Sequence, residues 1–323
     1  MENPLAEISR ILRENNDFLV VSHANPDGDA IGSTAAVGHI LTALGKQFTL
    51  YNASGLPDRY AWASIPGPIV RELPEKLPEW TIVLDCGADH RIGDDLYHRM
   101  KETRVVNIDH HLGNANYGEF NWVDHRQPAV GSMIAELARE QGMEMSGPLA
   151  ECLYLAISTD TGFFTYGTTT PESLELAAEM LRNGLNLADI NRNITKQWSL
   201  NRLKLWSKAM DGVELFFDGA LGMITITTDM FEATGTTRDD TESLVNILRR
   251  LTSVRVAAIL RQEGPKFWKF SLRSHGTVNV QEMAAQLHGG GHKNASGGII
   301  LDNDLLEAKQ RLVDIIGQSL GLK

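Results

Sequence analysis

Short continuous apolar runs alternate with stretches of helical period through the first half of the chain. Residues 18–21, 47–51, 81–84 and 104–108 each read as a buried strand bounded by turn residues. Between the first two, residues 30–44 set Ile31, Ala35, Ile40, Leu41 and Leu44 near one stripe, and Gly45 supplies a stop. Residues 131–141 and 172–183 repeat that period, the second ending at Gly184. Residues 149–159 fit either state by periodicity, and Leu149, Leu153 and Ala156 favour a helix. Such alternation builds a parallel sheet with helices on its faces.

The pattern changes after residue 185. Residues 186–208 are polar and helical with no strand signal, which predicts a connector. Beyond it, 213–217 and 221–227 flank Asp218-Gly219, a two-residue hairpin signal, and 254–261 and 267–273 flank Glu263-Gly264-Pro265. Helices are expected at 241–251, 280–287 and 304–318. The predicted fold is α/β: a parallel-sheet N-terminal domain over 1–185, a helical linker over 186–212, and a smaller mixed α/β C-terminal domain over 213–323. The length of 323 residues suits two domains.

Composition narrows the setting. No apolar run is long enough for a membrane helix, and Met-Glu-Asn-Pro lacks the layout of a signal peptide. Cys86 and Cys152 both sit in apolar stretches and make no disulfide framework, so a reducing cytoplasm is expected. With 41 Asp and Glu against 30 Lys and Arg, the net charge of −11 argues against a partner such as long duplex DNA. It leaves room for a small phosphorylated substrate, because bound divalent cations reverse the local sign.

Acidic and histidine residues recur where the apolar runs end. His23, Asp27 and Asp29 follow the first run, Asp85 follows 81–84, Asp109-His110-His111 follow 105–108, and Asp160 follows 153–158. In a parallel sheet the segments leaving the carboxyl ends line one crevice, so these residues converge. Two imidazoles and four carboxylates are costly to bury together, and two divalent cations cancel the charge of Asp27, Asp29, Asp85 and Asp160. The mixed donor set suits Mn²⁺ first, with Mg²⁺, Co²⁺ or Zn²⁺ as alternatives. Asp27 and Asp29 straddle a glycine and so address different ions, with Asp85 placed to bridge them. Taken singly, Asp-Gly-Asp is ordinary turn chemistry and Asp160 an ordinary helix cap; the joint occurrence carries the inference.

These motifs, in this order, resemble the DHH phosphoesterase family, and the likeness spans most of residues 18–165. The resemblance implies that His23 and Asp27 hold one metal, that Asp29, His110 and Asp160 hold the second, and that Asp85 bridges both. It further implies that His111 faces the substrate phosphoryl group while Asp109 fixes ring orientation.

In the second domain, His288-Gly289-Gly290-Gly291-His292 is the other strong signal. Consecutive glycines let backbone N–H groups approach an anion, although a tight turn before a strand explains them equally well. Alternation along 267–273 puts Lys269, Ser271 and Arg273 on one face. The segment resembles the DHH-associated domain of the family's nucleic-acid branch, and the two-domain length resembles its stand-alone bacterial nanoRNases and 3′-phosphoadenosine-5′-phosphate phosphatases. That likeness implies substrates that are short oligonucleotides or nucleotide bisphosphates, gripped by Ser271, Arg273, Gly289, Gly290, Gly291 and His292. A phosphodiesterase of cyclic or linear dinucleotides and an exopolyphosphatase or pyrophosphatase are the competing enzymes, and a non-catalytic nucleotide sensor is the competing binder. A homodimer is compatible with the sequence, which specifies no interface.

Overall fold

The structure is a computed structural model that describes residues 3–195, 198–301 and 304–322. The chain divides into two compact units, Met1–Gln197 and Trp198–Lys323.

The first unit is built on six strands: β1 (Asp17–Ser22), β2 (Gln47–Tyr51), β3 (Ile69–Val70), β4 (Trp80–Leu84), β5 (Arg104–Asp109) and β6 (Phe120–Val123). They lie in the order β3-β2-β1-β4-β5-β6, and every neighbouring pair is parallel. The chain therefore leaves β1 toward one edge and returns to build the other, which makes the β1/β4 boundary the switch point where ligands of such sheets bind. Alternation along β1 feeds two cores. Phe18 and Val20 pack with helices α1 (Pro4–Glu14), α2 (Gly28–Ala43), α4 (Val130–Glu140) and α5 (Gly147–Asp160), whereas Leu19 and Val21 pack on the opposite face with Leu96 of α3 (Asp94–Arg99). Helices α6 (Pro171–Arg182) and α7 (Leu187–Thr195) complete the unit, and Met180 and Ile190 sit in the first of those cores.

Helices α2 and α5 touch backbone to backbone. At Gly32 a Cβ would lie 2.5 Å from the Cys152 carbonyl oxygen and 2.9 Å from the Ala156 Cβ. A side chain at that position would hold the two helices apart. Because Gly28 likewise abuts Thr159, the start of α2 is pinned beside the end of α5.

The second unit begins with α8 (Leu200–Asp211), followed by β7 (Glu214–Phe216), β8 (Leu221–Ile226), α9 (Thr228–Thr234) and α10 (Val245–Leu248). Then come β9 (Val256–Gly264), β10 (Phe267–Ser274), α11 (Val280–Ala285), β11 (Gly290–His292), β12 (Ala295–Leu301) and α12 (Leu305–Ser319). The sheet order is β11-β12-β10-β9-β8-β7, with β8 and β9 parallel and the other pairs antiparallel. This is the expected mixed α/β unit.

Three local expectations change. The stretch read as a connector supplies α7 to the first unit and α8 to the second, while residues 196–197 within it lie outside the described residues. The expected 241–251 helix shrinks to the single turn of α10, because Ser243 adopts a left-handed φ of 64° and breaks the run. The β7–β8 connection is longer than two residues, since the ring of Phe217 packs against Gly317 of α12 and draws that residue out of the strand.

Candidate metal centre

The first unit gathers its polar residues where β1, β4 and β5 end. His23 follows β1, Asp85 follows β4, and Asp109 closes β5 just before His110 and His111. Asp85 has a φ of 53°, a left-handed conformation that Asp tolerates better than most residues, and its N–H donates to the Ile108 carbonyl at 3.1 Å. Asp27 is the N-cap of α2 and accepts from the Ala30 N–H at 3.1 Å, and Asp29 lies in the helix's first turn. Asp160 is the last residue of α5, the helix favoured for 149–159, and so reaches the cluster from a helix end rather than a strand end. The close packing of α2 on α5 brings it in.

Two of the candidate ligand groups that result share Asp85. Candidate donor atoms of His23, Asp27 and Asp85 all lie within 4.8 Å of one another, and so do those of Asp29, Asp85 and His110. Asp160 joins the second group, its carboxylate 3.5 Å from His110 Nε2. Asp85 is approached by His23 Nε2 on one oxygen and by His110 Nε2 on the other, each at 3.6 Å. These are close approaches rather than hydrogen bonds, and Asp85 Oδ1 is buried without a hydrogen-bond partner among the described residues. A buried carboxylate oxygen in that state costs free energy unless something positive meets it.

Surrounding groups hold the donors in place. His23 Nδ1 donates to the Ala24 carbonyl at 2.9 Å and His110 Nδ1 to the Gln127 carbonyl at 3.0 Å. A carbonyl only accepts, so each neutral ring carries its hydrogen on Nδ1 and turns the Nε2 lone pair toward the carboxylates. Asp29, which is fully buried, accepts from the N–H groups of Val130 and Gly131 at 2.7 and 2.9 Å and from the Ser33 hydroxyl at 2.8 Å. The N-terminus of α4 thereby anchors an anion, as helix starts do. His111 Nδ1 donates to Asp109 at 2.8 Å, and the other Asp109 oxygen accepts from Asn114 Nδ2 at 2.6 Å. Asn114, Ser33, Gln127 and the α4 backbone are functional neighbours that sequence reasoning missed. Their part is played by main-chain atoms or by common polar side chains that nothing in residue type marks.

Without cations the cluster retains protons. Burial, reinforced by the charge of Asp85, pushes the Asp29 carboxyl well above the usual range. Burial also pushes Asp160 up to about 7. Burial opposes ionisation of Asp85 too, but His110, His23 and His111 outweigh it and hold that carboxyl well below its usual range. Both His23 and His110 are raised, because the facing carboxylates overcome a burial effect of the opposite sign. Proton binding at these groups thus competes with a divalent cation, which would neutralise the same carboxylates. The donor set, imidazole mixed with carboxylate around an orphaned oxygen, fits two such ions sharing Asp85.

The second unit places its predicted residues on β10 and the β11–β12 hairpin. Ser271 and Arg273 share one half-exposed face of β10. Two of the glycines are crowded by backbone: a Cβ on Gly289 would meet the Gly297 carbonyl oxygen at 2.3 Å, and Gly291, with a φ of 132°, would carry a Cβ 2.5 Å from the Ala295 carbonyl oxygen. The Gly289 N–H donates to the Ala284 carbonyl at 2.8 Å, so an anion nest that includes it is ruled out. Gly290 alone of the three faces open space. His292 closes β11, and its carbonyl accepts from the Ser296 hydroxyl at 2.7 Å.

Comparison with known proteins agrees with this architecture. Residues 17–157 match the DHH family N-terminal domain, and residues 224–321 match the DHHA1 domain. The bifunctional oligoribonuclease and PAP phosphatase NrnA of Thermus thermophilus is 31% identical over 315 residues, covering 93% of this chain and 89% of its own. The Bacillus subtilis protein of the same name is 28% identical over 317 residues and covers 96% of each chain. Among solved structures, an exopolyphosphatase-related protein from Bacteroides fragilis superposes with a TM-score of 0.86 at 26% identity, covering 98% of this chain and 95% of its own. The chain belongs to the DHH family, whose enzymes depend on divalent metals.

Proposed function

We propose that this protein is a two-metal phosphoesterase that hydrolyses short oligoribonucleotides and 3′-phosphoadenosine-5′-phosphate to mononucleotides. One observation carries the reading: two His/carboxylate groups share Asp85, whose buried Oδ1 has no hydrogen-bond partner among the described residues. The names of the Thermus and Bacillus relatives supply the substrate class.

In this reading His23 and Asp27 hold one ion, Asp29, His110 and Asp160 the other, and Asp85 both. Mn²⁺ suits the mixed nitrogen and oxygen donors better than Mg²⁺, which favours all-oxygen shells. Bound divalent cations supply positive charge to phosphoryl oxygens and make water a nucleophile near neutral pH. The chain's own groups do the positioning. Val130, Gly131 and Ser33 fix the carboxylate of Asp29, and Ala24 and Gln127 fix the two imidazoles. As the imidazolium, with Asp109 accepting from Nδ1, His111 would donate its Nε2–H to a phosphoryl oxygen as charge builds there. In the second unit, Ser271, Arg273, Gly290 and His292 are the proposed substrate-binding residues. Among the described residues no helix is long and apolar enough to cross a membrane, and both cysteines are free and buried. The proposed setting is the cytoplasm.

A substrate panel tests this. With Mn²⁺, the purified chain is expected to release phosphate from 3′-phosphoadenosine-5′-phosphate and mononucleotides from di- to pentaribonucleotides. Polyphosphate and cyclic dinucleotides should remain intact. Hydrolysis confined to polyphosphate would move the assignment toward the activity in the Bacteroides protein's name.

A further inference from the structure

The two ligand groups of the first unit are held in different ways. The carboxylate of Asp29 is fixed by α4 and Ser33, and the ring of His110 by the Gln127 carbonyl. His23 and Asp27 instead flank the short loop Ala24-Asn25-Pro26, and the Asp27 side chain is half-exposed. Asn25 has a left-handed φ of 55°, a conformation that bonds from outside must hold. Those bonds meet the loop's main chain residue by residue. The His23 carbonyl accepts from Asn52 Nδ2 at 2.9 Å, and the Ala24 N–H donates to the Arg91 carbonyl at 2.6 Å. The Asn25 N–H donates to Ser54 Oγ at 2.8 Å, and the Pro26 carbonyl accepts from the Arg59 guanidinium at 3.2 Å. Three of these four partners come from residues 52–59, the stretch that follows β2. Its root is Asn52, which is buried: its N–H donates to the Val70 carbonyl of β3 at 3.0 Å, and its Oδ1 accepts from the Ser54 N–H at 2.9 Å.

We infer that Asn52, Ser54 and Arg59 are positioning residues for the ion held by His23 and Asp27, forming a clamp that serves this ion and not its neighbour. The inference rests on the two-ion reading of the proposed function and adds which part of the chain sets the affinity of each ion. A loop left free would have to be ordered when a cation binds, and that ordering would weaken the site. Groups that orient metal ligands without touching the metal act in this way. A clamp built from one stretch gives the two ions separable affinities, although they share Asp85. If the stretch merely anchored the β2–β3 connection, its loss would act on the whole sheet and on both ions alike.

The experiment counts ions rather than turnover. Metal-free, full-length protein is titrated with Mn²⁺, and the free ion is read from its electron paramagnetic resonance signal. Wild type is expected to take up two ions, and His23→Ala marks which binding step belongs to the clamped one. Asn52→Ala should weaken that step about tenfold and leave the other within about twofold. Ser54 is exposed, so its substitution leaves the core intact. Ser54→Ala should weaken the same step about threefold, and Ser54→Thr, which keeps the hydroxyl, should restore it. Added to His23→Ala, Asn52→Ala should leave the affinity of the remaining ion unchanged, which a merely structural role does not predict. Equal weakening of both steps, or of neither, would overturn the clamp alone. A wild type that takes up fewer than two ions, or a His23→Ala variant that titrates like wild type, would overturn the two-ion reading and the clamp with it.

Discussion

Two regions of this molecule contrast in what surrounds them. In the first unit, the carboxylate of Asp85 is enclosed with too few partners, and its Oδ1 has no hydrogen bond among the described residues. In the β11–β12 hairpin, the glycines are enclosed with too many neighbours, and a methyl group on Gly289 would run into the Gly297 carbonyl. A shortage of partners at a buried polar atom points outward, to a ligand. A surplus of contacts points inward, to the fold. The contrast assigns chemistry to the first region and, for Gly289 and Gly291, architecture to the second.

The largest effect that can break this comparison is at Asp85. Asp85→Asn keeps the size and also tolerates the left-handed backbone at φ 53°, so the variant is expected to fold. It removes the one charge common to both ligand groups. Turnover with Mn²⁺ should fall about a thousandfold or more, and metal analysis should find fewer than two ions retained. Wild-type turnover in this variant would sink the metal assignment.

A smaller effect separates the glycines from one another. Gly289→Ala should destabilise the chain by about 2–3 kcal/mol, because the collision is with a carbonyl that is itself part of the sheet. Gly290→Ala meets open space and should change the stability read from urea unfolding by no more than about 0.5 kcal/mol. If the two variants unfold alike, the backbone explanation of the hairpin is wrong, and a ligand role for Gly289 returns.

How far each region can be read without coordinates divides along the same line. The strand ends carrying His23, Asp85 and Asp109-His110-His111 were legible, because a buried apolar run followed by acid or imidazole is an improbable pattern. Asp160 is legible as a residue and its run as a helix, but only the close approach at Gly32 shows how that helix end reaches the strand ends. The support for Asp29 was hidden altogether, since Val130 and Gly131 contribute main-chain N–H groups that any sequence possesses. In the hairpin, glycine means conformational freedom or close approach, and the sequence does not say what approaches. The first helix, α1, does carry a legible start, since Asn3 caps it and Pro4 opens it in the usual way.

The smallest effect is a pH dependence, and it tests whether protons and cations compete for the same pocket. Asp29 and Asp160 have raised folded-state values, about 7 for Asp160, so each takes up a proton on folding. Their contribution to stability is full below the unfolded carboxylate value of about 4 and is lost as pH rises through the folded value. His23 and His110 are raised as well, so their contribution is full below about 6.5 and is also lost as pH rises. Asp85 and Asp109 are lowered and run the other way, but their loss comes only as pH falls below about 4. Between pH 5.5 and 8 the four raised groups therefore act together, and the metal-free protein should melt lower at pH 8. A divalent ion needs those same groups deprotonated, and each proton it displaces strengthens binding by about 1.4 kcal/mol per pH unit. The rise in Tm on adding Mn²⁺ should accordingly be larger at pH 8 than at pH 5.5, and calorimetry in buffers of different ionisation enthalpy should register proton release. Equal Tm gains at both values, with no proton released, would mean that the ions bind elsewhere and that the orphaned oxygen of Asp85 has some other partner.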